Sequence, residues 1–265
     1  MTEWNWQWDP NLYAGSANHY AIGRMAYPPS IGAVLKAELG LDGTGRLLDV
    51  GCGPGPVTRL LAPLFAEAVG VDADADMIAV ASAQATDSKI TWLTRRAEEL
   101  SEELGRFRVV TFAQSFHWMN QPLVAELMRK LLEPGGAWVH LGTSTHRGEL
   151  GENNPPWDAI DELVARYLGS EERDLPRGTK GGEDDVMRAA GYTGPTEIVT
   201  GGGVVDIRTV DEVMSAVLSL SSSTPHLFGA RLPDFERDLR ALLEAAASDG
   251  RFGEPRRPVT VKIWR

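Results

Sequence analysis

Three glycines at alternate positions follow a short apolar run in Leu47-Leu48-Asp49-Val50-Gly51-Cys52-Gly53-Pro54-Gly55-Pro56-Val57-Thr58. A turn of this kind places no side chain between backbone and ligand, so a flat polar molecule can lie against its amides. Further on, a second apolar run, Val69-Gly70-Val71-Asp72, ends in a carboxylate. If the two runs are neighbouring parallel strands, Asp72 stands where it can accept both hydroxyls of a ribose. Together they describe a site for a nucleoside cofactor. Asp72 could instead cap the helix around Met77, although Asp74 and Asp76 suit that role better.

The spacing narrows the choice of nucleoside. A dinucleotide fingerprint wants its third glycine where this chain has Pro56, and Pro54 and Pro56 remove two amide donors from the turn. A nicotinamide oxidoreductase is disfavoured on that ground, and a compact zwitterionic group suits the loop better than a diphosphate. Asp49 orders the loop or meets an ammonium group. Cys52, between two of the glycines, reads as a small space-filler rather than a nucleophile.

On these residues the loop resembles motif I of the class I S-adenosylmethionine-dependent methyltransferases. The likeness runs densely over residues 12–142 and thins beyond them. Arg96-Ala97-Glu98-Glu99-Leu100 is similar to the family's adenine-bracketing segment. The run from Phe107 through Ala113-Gln114-Ser115-Phe116-His117-Trp118 is similar to the strand whose end faces the transferable methyl. Leu131-Leu132-Glu133-Pro134-Gly135-Gly136 is similar to the turn into the next strand. Ala-Gln-Ser-Phe-His-Trp resembles the small-molecule branch that includes type 11 and trans-aconitate methyltransferase-like proteins. Arg108, early in its strand, departs from that branch, which usually has an acidic residue there.

The resemblance implies S-adenosyl-L-methionine as cofactor. It places Asp49, Gly51, Cys52, Gly53, Gly55, Asp72, Ala73, Met77, Ala97, Glu98, Ala113, Gln114 and Ser115 at its site. At Glu98 the recognition of adenine could fall to the amides of residues 97 and 98. Tyr20 and Arg24, one helical turn apart, are similar to a Tyr and Arg of an N-terminal segment that folds over the cofactor. By that analogy Arg24 pairs with the methionine carboxylate; a surface arginine without ligand is the other reading.

Methyl transfer from a sulfonium is an in-line displacement with an activated leaving group, so alignment dominates and catalytic side chains are optional. His117, just past the strand end, is the candidate general base; it could equally shape the pocket with Trp118. His146 and His226 fall in segments that could touch substrate. Trp4, Trp6 and Trp8 could line the mouth of the site or anchor a lid.

With 265 residues the chain suits one domain with a full core. A net charge of −11 without a basic stretch argues against nucleic-acid partners. No apolar run reaches membrane-spanning length and no leader pattern opens the chain. A lone cysteine fits a reducing cytoplasm, and no Cys/His cluster has metal-ligand spacing.

Helical spacing marks Ile31 to Leu39, the stretch after the glycine loop as far as Pro63, and Val124 to Leu131 opened by Pro122. Strand-like runs occupy 68–71, 90–93, 107–112 and 137–141. The alternation implies a Rossmann-like, doubly wound α/β sheet of seven strands, with the strand ends at one rim. Later helices are expected around Trp157–Tyr167, Glu183–Ala190, Val210–Leu218 and Phe235–Leu243, with strands at 197–199 and 259–263. By resemblance the last two strands form an antiparallel edge hairpin. Residues 1–30 are expected to form a lid, and 143–181 and 204–232 to cap the substrate. The expected activity is methyl transfer to oxygen, nitrogen or carbon of a small molecule; a non-transferring cyclase or regulatory protein on the same scaffold is the alternative. The acceptor and the oligomeric state, monomer or homodimer, stay open.

Overall fold

A computed structural model of the chain describes residues 9–84, 87–169, 182–247 and 249–265. In chain order its elements begin with α1 (Ala17–Gly23), α2 (Ser30–Leu39), β1 (Arg46–Val50), α3 (Pro56–Leu61), β2 (Glu67–Asp72), α4 (Ala75–Ala83), β3 (Ile90–Thr94) and β4 (Phe107–Ala113). Then follow α5 (Gln121–Leu131), β5 (Leu132–Gly142), α6 (Trp157–Leu168), α7 (Glu183–Ala189), β6 (Thr196–Thr200) and β7 (Val205–Thr209). The last are α8 (Val210–Leu218), α9 (Pro225–Phe228), α10 (Leu232–Ala246), β8 (Arg251–Pro255) and β9 (Val259–Trp264).

Adjacent apolar residues such as Leu47 and Leu48 point to opposite faces of a strand, so a sheet built from such runs must be covered on both sides. Leu47, Val109, Val139 and Val261 meet Ile31 and Leu35 of α2 and Val57 and Leu61 of α3. On the other face Leu48, Val110, Phe112 and Trp138 meet Val124, Met128 and Leu131 of α5. The strand order is β3-β2-β1-β4-β5-β9-β6. β1 runs parallel to both β2 and β4, and β9 runs antiparallel to β5 and β6. The order reverses between β1 and β4, which opens a crevice at the carboxyl ends of the strands.

Local signals stop and start the elements as the sequence suggests. Pro63 converts the end of α3 into a 3-10 turn over Ala62–Leu64. Asp74, not Asp72, caps α4 by accepting from the amides of Asp76 and Met77. Asn120 caps α5, which Pro122 opens.

The expected antiparallel edge pair forms between β6 and β9, with residues 201–258 inserted between its strands in sequence. One feature differs from the sequence reading. Within that insertion β7 and β8 form a separate two-stranded antiparallel sheet. β8 carries Gly253, Glu254 and Pro255 in an exposed–buried pattern too short and polar to be read as a strand. This insertion and α6 build a third apolar cluster, in which Trp157, Val213, Val217, Phe235, Leu239 and Phe252 pack apart from the sheet. The N-terminal segment docks onto it: a Cβ on Gly23 would lie 2.1 Å from the backbone nitrogen of Ala216, so α1 approaches α8 at backbone distance.

Candidate active site

The glycine loop is held by its neighbours before any ligand is considered. The amides of Gly51 and Cys52 both donate to the Val71 carbonyl, at 2.8 and 3.0 Å. Asp49 is fully buried and accepts from the hydroxyls of Thr58 (2.6 Å) and Thr111 (2.7 Å), tying the loop's first strand to α3 and β4. Burial pushes its carboxyl up, and the two threonine hydroxyls oppose that. The three glycines have different jobs. A Cβ on Gly51 would strike the Ser115 side chain at 2.4 Å, and one on Gly55 would strike the Trp92 ring at 2.2 Å. Gly53, at φ +55°, would meet nothing nearer than the Tyr20 ring at 4.0 Å. Its bare backbone therefore faces open space, the cradle that a ligand backbone contact requires.

Asp72 stands directly beside this glycine. One carboxylate oxygen accepts the Gly53 amide at 2.8 Å and the other accepts the Asp74 amide at 2.9 Å. Each oxygen keeps a further acceptor site. Burial raises this carboxyl to about 6, against the lowering effect of the two amides. An acid held so close to neutrality in a cleft is a functional candidate.

Gly51, Gly53 and Asp72 share one cavity. Tyr20, Ala73, Met77, Ala97, Glu98, Ala113, Gln114 and Ser115 line it as well, so most of the residues expected from the sequence converge. Gln114 has φ +57°, the only non-glycine residue in the left-handed region among the described residues. Strain of that kind concentrates at functional sites. Ser115 donates to the Val50 carbonyl at 2.6 Å, which locks the end of β4 against the loop. Glu98 lines the cavity while accepting the Asn120 amide at 2.9 Å and pairing with Arg96 at 3.6 Å, so it also pins the start of α5.

Other expected residues stand elsewhere. Asp49, Cys52 and Gly55 do not line the cavity; they support the loop from behind, Cys52 as a buried thiol whose pKa burial pushes up. Arg24 is also outside it. Its Nε donates to the Ser219 hydroxyl at 2.8 Å and a terminal nitrogen donates to the Ser219 carbonyl at 2.9 Å, with the guanidinium over the Tyr20 ring. The close α1–α8 packing carries it to the end of α8. His117 sits in a 3-10 turn, Phe116–Trp118, and faces an adjoining cleft instead. Trp4, Trp6 and Trp8 lie outside the described residues.

The sequence reading missed Tyr13 as a cavity wall and raised Trp118 only as the alternative in which it shapes the pocket with His117; both line the cavity. Their rings meet edge-on at 6.4 Å, and Tyr13 meets Tyr20 at 6.5 Å. Aromatic enrichment near the N-terminus is visible in the sequence, but the register that points Tyr13 inward is not. Also missed is a buried ion pair, Arg208–Glu254, at 2.5 Å. Arg208 further donates to the carbonyls of Gly23, His146 and Glu212, and Glu254 accepts from the Gly148 amide and the Trp157 indole. This one pair joins the end of α1, the segment after β5, the start of α6 and the β7–β8 sheet.

Comparison with known proteins agrees with this geometry. Residues 47–136 match the family model of the methyltransferase domain. The chain is 29% identical over 210 residues to the ubiquinone biosynthesis O-methyltransferase of Paraburkholderia xenovorans, covering 77% of this chain and 78% of that protein. It is 30% identical over 140 residues to the trans-aconitate 2-methyltransferase of Mycobacterium marinum, covering 50% and 46%. The fold is similar to a solved structure from Anaeromyxobacter dehalogenans assigned to the type II methyltransferases, with TM-score 0.54 at 20% identity over 91% and 95% of the two chains. The chain spans less than half the length of several curated relatives it matches. Residues 47–136 are thus similar to a methyltransferase domain, and the fold around them is similar to that of a solved methyltransferase.

Proposed function

We propose that this chain transfers the methyl group of S-adenosylmethionine to an oxygen, nitrogen or carbon of a small-molecule acceptor. The observation that carries the reading is the pairing of Gly53 and Asp72 in one cavity: a bare, left-handed backbone whose amide bonds to a buried carboxylate that keeps spare acceptor sites. The Gly51–Gly53 backbone would hold the aminoacyl end, Asp72 the ribose, and Met77, Ala97 and Glu98 the adenine. S-adenosylmethionine supplies a methyl already activated by its sulfonium charge. What remains for the protein is orientation and exclusion of water, and orientation can lower a barrier by about 7–11 kcal/mol. Residues 9–29 act as the lid, and residues 143–169 and 204–232 as the cap over the acceptor. Arg24 fixes the lid to the cap through Ser219. The acidic balance of the chain, −11, favours a small acceptor over a polyanion.

The test is formation of S-adenosylhomocysteine when purified protein meets S-adenosylmethionine and a small-molecule acceptor library. Retention of the cofactor without turnover across the library would favour a binding protein instead. His117 is the base where the acceptor must lose a proton. His117→Ala is then expected to lower turnover about 10²–10⁴-fold with cofactor affinity unchanged; a variant of near-normal turnover removes the base from the mechanism.

A further inference from the structure

The small β7–β8 sheet is paired unevenly at its two edges. A bulge sets the phase of its ladder: the Gly203 amide donates to the Arg256 carbonyl at 3.0 Å, and the Arg256 amide donates to the Val204 carbonyl at 2.8 Å. Two residues thus oppose one, and Gly203 takes the left-handed conformation at φ +73° that this bulge requires. Main-chain groups alternate across an antiparallel pair. Those of Asp206 and Arg208 therefore bond toward Glu254 and Phe252 on β8, and those of Val205 and Ile207 point the other way. β8 keeps the same phase on its far side, where the Gly253 amide donates to the Asn153 carbonyl and the Pro255 carbonyl accepts the Glu149 amide, both at 2.8 Å. Among the described residues, no strand pairs with the outer edge of β7.

The side chains of β7 sort by charge. Asp206 is gripped by two nitrogens of Arg256, each at 2.6 Å, and Arg208 is paired with the buried Glu254. Val205 and Ile207 alternate with them, 53% and 59% exposed, and their methyl groups lie 3.4 and 3.7 Å from where a Cβ on Gly253 would stand. Ile22, also exposed, lines a groove with Ile207 along the same edge. The edge strand of the main sheet is guarded differently. β6 carries exposed Glu197, paired with Lys262 at 3.0 Å, and charges of that kind discourage strand addition. The outward row of β7 has no such guard.

We infer that β7 pairs antiparallel with the β7 of a second copy of this chain, joining the two small sheets into one of four strands. Charge selects a second copy as the occupant. A net charge of −11 sets two copies to repel, whereas the outward row Val205, Ile207 and Thr209 is uncharged. A twofold axis lays that row against itself, so uncharged residues meet across the seam while the main-chain groups of Val205 and Ile207 gain partners. A polyanion or an anionic surface would find no free cation on this strand, because Arg208 and Arg256 already hold Glu254 and Asp206.

The test is sedimentation of the full chain over a concentration series, with hydrogen exchange read at single amides. The parent is expected to sediment as a dimer, with the Val205 and Ile207 amides slowed at high concentration and fast on dilution. Val205→Lys and Ile207→Lys bring like charges together across the seam, and each is expected to give a monomer with the parent's circular dichroism. Ile207→Pro is expected to do the same through the backbone alone: the amide it removes points away from β8, so the β7–β8 ladder persists. Val199→Lys, at an exposed valine on β6, is expected to stay dimeric. The inference is overturned if the parent is monomeric throughout, if the β7 variants remain dimeric, or if Val199→Lys breaks the dimer as they do. Free exchange of the Val205 and Ile207 amides within a parent dimer overturns it as well, and that measurement decides the matter even where a variant fails to fold.

Discussion

The two halves of this molecule are held by different physics. Around the cofactor cavity, short-range contacts do the positioning: backbone amides of the loop bond to Val71 and Asp72, about one strand–helix–strand unit away. In the segment around α1 and the 201–258 insertion, for which we propose lid and cap roles, the organising contact is a buried ion pair whose Arg208 also reaches the carbonyl of Gly23, 185 residues distant. One half is a local device that any such strand–turn–helix builds. The other exists only once the whole chain has folded around it. The cofactor half is therefore expected to survive perturbations that loosen the cap, and the comparison can be broken by testing each half separately.

The largest effect is expected at the ion pair. Arg208→Met leaves Glu254 charged and fully buried, and breaking such a pair from one side costs about 3–5 kcal/mol. Denaturant unfolding should show that loss, and a double variant that also makes residue 254 apolar should recover part of it. A single variant as stable as the parent would mean the cap is held by its apolar cluster alone.

Next comes Gly23→Ala. Its Cβ would meet the backbone of α8, not a flexible side chain, and overpacking of that kind costs about 1–3 kcal/mol. Proteolysis at the N-terminal segment should accelerate while the sheet core stays protected. Equal protection of both would show that lid and cap are not a separable unit.

Asp72→Asn probes the other half. Loss of hydrogen bonds to a charged acceptor is worth about 1.5–3 kcal/mol, so calorimetry should show S-adenosylhomocysteine binding about one to two orders of magnitude more weakly. Fold stability should not fall with it, because burial already works against the ionised carboxylate.

The smallest effect is a pH signature with opposite signs for binding and folding. Asp72 loses its proton only above about 6 in the folded chain. Cofactor affinity should thus decline below that value, by at most about tenfold per pH unit. For folding the sign reverses. A carboxyl raised above its ordinary value binds protons more tightly when folded, so its contribution grows more favourable as pH falls from about 6 toward 4. His140, lowered to about 3, acts the other way and destabilises the fold as pH drops below its ordinary range. Affinity that stays flat from pH 7 to pH 5 would remove the Asp72 carboxylate from the cofactor's grip.

The parts that could be read in advance are those governed by neighbours in sequence. Consecutive apolar pairs demanded a sheet covered on both faces, Pro63 and Pro122 marked helix ends, and Gly51 and Gly53 declared a bare turn because their amides act at their own positions. Arg24 shows where that reasoning stops. Its spacing from Tyr20 was correct, yet its partner is Ser219, brought near only because Gly23 lets α1 touch α8. His117 was rightly placed at a strand end, but which of two clefts it would face depended on the 3-10 turn at Phe116–Trp118. β8 escaped notice because Glu254, one of its two buried residues, is charged, and no local rule buries a glutamate before its arginine is known.

The sequence alone determined the sheet, the glycine turn and the acid beside it, since each follows from periodicity, backbone freedom or hydrogen bonding over short separations. Tertiary structure alone decided that Tyr13 and Trp118 wall the cavity, that Arg208 and Glu254 lock the proposed cap, and that Val205 and Ile207 end on an outer strand edge. Burial and side-chain partnership are properties of the packed chain, and residues far apart in sequence acquire them only when desolvation forces them to find one another.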